Sequence, residues 1–130
     1  MVVFMAVFLI YLMLSWLGIG AWLLYDPGAL EAYAGVVALT PTGVTELRAM
    51  YGGMELAIGC VTLLALLRPY WRCHVLFLNG VILGGIAAGR LVGVLLDGNI
   101  SVYTLAVLSF ELSAVAVCLL LARGLQRGGE

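Results

Sequence analysis

The chain of 130 residues is 65% hydrophobic and only 10% charged, with a mean hydropathy of +1.18, so it lacks the polar residues that solvate a globular surface. Six arginines, no lysine and seven acids leave a formal charge of −1, which excludes the basic face that holds nucleic acid. A helix needs about 20 residues to cross a hydrocarbon core about 30 Å thick, so the length accommodates a single all-α integral membrane domain of about four spans.

The first predicted span, residues 2–25, is almost wholly apolar. Tyr11, Ser15, Gly18, Trp22 and Tyr25 recur along it at helical spacing and form a candidate inward-facing stripe. The N-terminus has no positive n-region, its apolar run is longer than a signal-peptide core and no small-residue cleavage pattern closes it, so Met1 is expected on the mature chain. Asp26-Pro27-Gly28 stops the helix, because proline lacks an amide donor and glycine tolerates the turn. Residues 29–40 carry Glu31 and Tyr33 and are too short and too polar to span, which predicts a short interfacial helix or loop.

Thr40-Pro41-Thr42-Gly43 opens the second span, residues 43–67, with Pro41 suited to a helix start and Thr42 or Thr45 as cap. Arg68-Pro69-Tyr70-Trp71-Arg72 reads as a tight connection whose aromatics suit the headgroup level. The third span covers residues 73–96 and ends at the Asp97-Gly98-Asn99 turn, and the fourth covers residues 101–123. Gly80, Gly84, Gly85, Gly89 and Gly93 repeat at four-residue spacing on the third span, which lets helix backbones approach closely where lipid supplies no hydrophobic drive for association. The expected architecture is a four-helix bundle.

Arg68 and Arg72 lie between spans two and three, and Arg123 and Arg127 follow span four, while the opposite connections carry Asp26, Glu31 and Asp97. By the positive-inside rule both termini are expected in the cytoplasm.

The functional signal is charge inside the spans. Each helical residue rotates by about 100°, which puts Arg48, Tyr51 and Glu55 on one face of span two. The same step aligns Asn79, Ile86, Arg90 and Asp97 on span three, and Thr104, Glu111 and Cys118 on span four. Glu55 and Glu111 fall on the order of 15 Å from the span ends, near mid-bilayer. A charge there costs about 3 kcal/mol on insertion scales, so these residues are expected to face inward and meet. Two readings are open: internal salt bridges that fix which helices are neighbours, or a polar pocket opening to the outer side, in which arginines hold a lipid or quinone group and a glutamate exchanges protons. Cys60, Cys73 and Cys118 are odd in number and sit in or beside apolar runs, which points to free thiols. With His74 they match no metal-ligand spacing, and no metal site is expected.

Glu46-Leu-Arg48-Ala-Met-Tyr51-Gly52-Gly53, with Gly59, Ala88-Gly89-Arg90 and the Asp97-Gly98 turn, resembles a family of small four-span bacterial membrane proteins classified as a domain of unknown function. The layout is also similar to the wider DoxX-like group. The resemblance implies the four-helix bundle, a bacterial inner-membrane location, and Arg48 and Arg90 as signature positions. DoxX-like proteins are associated with membrane redox complexes, so that similarity implies a non-catalytic accessory subunit or scaffold of a larger complex. The alternative is a protein that binds or converts a lipophile, lipid or quinone, through Arg48, Tyr51, Glu55, Arg90 and Glu111.

Overall fold

A computed structural model describes residues 2–98 and 100–127. Among them there is helix and no strand, and four helical stretches are long and apolar enough to cross a membrane: Val2–Tyr25, Pro41–Leu67, Pro69–Asp97 and Val102–Gln126. The chain divides into two compact units, residues 1–69 and residues 70–130.

In the first unit, α1 (Val2–Tyr25) is followed by a single short helix, α2 (Ala29–Ala34), in the stretch expected to hold an interfacial helix or loop. Gly35 ends α2 at φ 69°, a left-handed conformation open to glycine, and donates to the carbonyls of Leu30 and Glu31. The second span starts at α3 (Pro41–Leu47), and its cap is Thr40 in place of Thr42 or Thr45. Thr40 Oγ1 accepts from the Gly43 amide at 3.1 Å, because Pro41 occupies the first helical position and thereby makes the preceding residue the cap. The Thr45 hydroxyl instead donates to the Pro41 carbonyl.

The second span is not a uniform α-helix. Arg48–Gly53 is a π segment that leads into α4 (Met54–Leu67), and the Met54 amide reaches back five residues to the Ala49 carbonyl. Such a turn holds an extra residue, so the 100° step used to align Arg48 with Glu55 does not carry across it. The wide turn sits where α1 packs against this span. A Cβ on Gly52 would stand 2.7 Å from the Cα of Leu24 and 2.8 Å from its amide nitrogen. On Gly20 it would meet the Leu56 nitrogen at 2.8 Å, and on Gly59 the Leu17 side chain at 2.6 Å. These three glycines set the approach of α1 to its partner.

The buried stripe of α1 is Met5, Leu9, Leu12, Trp16, Gly20 and Leu23, and the stripe expected to face inward turns outward. Tyr11, Trp22 and Tyr25 are 52%, 46% and 87% exposed. Polarity misleads here because Ser15 and Trp22 find local partners without a facing span. Ser15 Oγ donates to the Tyr11 carbonyl of its own helix, and Trp22 rests edge-on against Tyr33 of α2, ring centres 5.5 Å apart.

In the second unit, a 3-10 turn (Pro69–Trp71) leads into α5 (Arg72–Asp97), which packs along α6 (Val102–Arg127). Tyr70, Trp71 and His74 cluster their rings at this helix start. Val75, Leu76, Asn79, Gly80, Leu83 and Ala87 form the buried face of α5; Glu111, Ala114, Cys118 and Ala122 form that of α6. Gly98 closes α5 at φ 64° and donates to the Val94 carbonyl, while Asn99 of the expected turn lies outside the described residues. Ser101 Oγ accepts from the Thr104 amide and starts α6, which runs a turn beyond the expected end at residue 123.

Candidate functional site

Of the five residues proposed as a site, the fold brings Arg90 and Glu111 together. Arg90 Nη2 donates to Glu111 Oε1 at 3.0 Å and Nε to Oε2 at 3.2 Å, a bidentate pair in which both carboxylate oxygens are engaged. The Glu111 side chain is 5% exposed and that of Arg90 26%. Both lie several residues inside their helices, within stretches apolar enough to span a membrane, so each charge offsets the cost of burying the other. Asn79, fully buried a few turns away on α5, donates its amide to the Val75 carbonyl.

Arg48, Tyr51 and Glu55 belong to the first unit and do different things. Arg48 Nε donates to the Leu24 carbonyl at 3.1 Å. That carbonyl is one of the last four of α1, which have no acceptor role within the helix, and a cation there also complements the negative end of the helix dipole. Arg48 thus caps α1 and, among the described residues, forms no ion pair with the carboxylates it was expected to meet. Tyr51 is exposed on the π segment. Glu55, on the first turn of α4, is half-buried, and its buried Oε2 atom has no hydrogen-bond partner among the described residues.

The glycines of α5 divide. A Cβ on Gly80 would stand 3.3 Å from Cys118 Cβ and from Leu119 Cδ2, and one on Gly84 would make ordinary contact with Val115. On Gly85 or Gly89 it would meet nothing within 4 Å, and on Gly93 only the edge of Asp97. The glycines in the tightest contacts, Gly20, Gly52 and Gly59, are on other helices; the sequence marks Gly52 and Gly59 only as part of the family motif, and close packing was expected of none of the three. Gly20 and Gly52 have no four-residue partner to flag them.

The cysteines are free: Cys60 is exposed, Cys118 is buried against Gly80, and Cys73 Sγ donates to the Ala122 carbonyl at 3.6 Å, tying α5 to α6. Among the described residues no three His, Cys, Asp or Glu side chains gather in a metal-holding group.

A cavity of about 300 Å³ opens at the end of α1, lined by Tyr25, Asp26, Glu31, Val36, Val44 and Arg48 among others. The Asp26 carboxylate is shared with the turn, accepting from the Gly28 amide at 3.1 Å.

Among the described residues these features define a small all-helical protein with four candidate membrane helices, a bidentate ion pair between two of them and a charged cavity at a helix end. A family model for a domain of unknown function (DUF4345) matches residues 4–122, and the chain belongs to that family. No curated protein and no solved structure matched the chain.

Proposed function

We propose that the four spans assemble into a membrane-embedded four-helix bundle that serves as a non-catalytic accessory subunit or scaffold of a larger membrane complex. The observation that carries this reading is the Arg90–Glu111 pair. A carboxylate with both oxygens held by one guanidinium is committed to helix pairing and is poorly placed to exchange protons with a substrate. The outward face of α5 supports the same reading, since Gly85 and Gly89 leave it smooth where close helix contact is possible. The arginine distribution supports an orientation with both termini in the cytoplasm, and the proposed setting is a bacterial inner membrane with membrane lipid around the bundle. The looser similarity to DoxX-like proteins points to a redox complex as the host.

A second reading rests on Glu55, whose buried Oε2 has no partner: a lipophile, lipid or quinone, bound beside Glu55 and Tyr51. One preparation tests both. Purification of the tagged chain in mild detergent is expected to recover a stoichiometric membrane partner that Gly89→Leu loses while the chain stays folded. A lone monodisperse species overturns the subunit reading, and a co-purifying quinone that Glu55→Gln releases establishes the second in its place.

A further inference from the structure

The cavity at the end of α1 carries both signs of charge without internal neutralisation. Arg48 lines it together with Asp26 and Glu31, yet among the described residues Arg48 forms no ion pair with either acid. Its Nε is taken by the Leu24 carbonyl, a bond that does not use the two Nη groups. Asp26 shares one oxygen with the Gly28 amide, and Glu31 makes no side-chain hydrogen bond. Val36 and Val44 supply apolar wall beside these charges.

Position narrows the ligand. A helix of 24 residues is about 36 Å long, more than the hydrocarbon thickness, so the end of α1 reaches the headgroup layer. The Trp22–Tyr33 pair beside it has the character of an interfacial aromatic anchor. The volume is at the small end of ligand sites, enough for a headgroup but not for acyl chains, which would leave through the open side.

We infer that this cavity binds the phosphoethanolamine headgroup of a membrane phospholipid, with Arg48 on the phosphate and Asp26 and Glu31 on the ammonium. The inference rests on the membrane-spanning reading above. A guanidinium matches phosphate geometry, and a primary ammonium brings three N–H donors to two carboxylates. A choline group has no N–H to give and is held by aromatic cages, whereas the aromatic lining here is Tyr25 alone among aliphatic and charged neighbours. A glycerol headgroup leaves the acids without a cation.

The test is native mass spectrometry of the full chain, delipidated in detergent and titrated with phosphatidylethanolamine, phosphatidylcholine or phosphatidylglycerol of identical acyl chains. Phosphatidylethanolamine is expected to bind at least roughly tenfold more tightly than the other two, the scale of one lost charge-assisted bond, and Glu31→Gln is expected to erase that preference. Glu31 is exposed and supports no other group, so the variant is expected to keep the wild-type circular dichroism. Equal binding of the three lipids, or an unchanged preference in Glu31→Gln, overturns the inference. Displacement by equimolar soluble phosphoethanolamine overturns the lipid assignment in favour of a free ligand. Failure of the membrane reading shows separately, as a chain recovered without detergent in the soluble fraction.

Discussion

The two halves of the chain hold their helices together by different means. In residues 1–69 the contact is made by backbone: Gly20, Gly52 and Gly59 remove side chains where α1 meets the π segment and α4, and the polar link between them runs from Arg48 to a carbonyl. In residues 70–130 the contact is made by side chains: a buried carboxylate gripped by an arginine, with Leu76, Leu83, Ala114 and Cys118 buried along the same two helices and Gly80 in close approach to α6. For helices apolar on all sides, association needs close packing or polar pairing, and each half relies mainly on one of the two. The contrast predicts opposite sensitivities.

The largest effect is expected at the ion pair. Glu111→Leu removes the carboxylate from Arg90 and is expected to cost about 3–5 kcal/mol in unfolding measured by circular dichroism in detergent. The double change Arg90→Leu with Glu111→Leu is expected to recover most of that loss, because the desolvation cost goes with both charges. If single and double variants unfold alike, the pair does not hold α5 to α6.

A smaller loss, about 1–3 kcal/mol, is expected from Gly52→Ala, since the new methyl meets backbone atoms of Leu24 that cannot swing away as a side chain tip would. Wild-type stability in that variant would show that the α1 contact is looser than the glycine spacing implies. The smallest effect is expected from the same substitution in the other half. Gly85→Ala meets nothing within 4 Å, so its midpoint should stay constant or rise by up to about 1 kcal/mol through helix propensity alone. A marked loss would mean that another helix covers this face.

Composition and hydropathy by themselves determined the all-helical class and the four candidate spans, because a chain this apolar has few ways to satisfy its backbone in lipid except by helices. Local breakers determined the ends: Pro27, Pro41, Pro69 and Gly98 act within a few residues and need no tertiary partner. Charge within the apolar candidate spans singled out Arg90 and Glu111, because burying either alone is costly. What only the tertiary structure decided was which face of each helix is inside. On α1 the polar stripe turned outward once Ser15 and Trp22 found local partners, and the inside went to the face that offers Gly20. The π segment is also a tertiary choice: its extra residue seats Gly52 on Leu24 and sends Arg48 to the end of α1, and a rotation of 100° per residue cannot anticipate it. In a soluble protein the hydrophobic pattern marks the buried face; where both faces are apolar, backbone fit and hydrogen-bond satisfaction make that selection, and both depend on what the neighbouring helix presents.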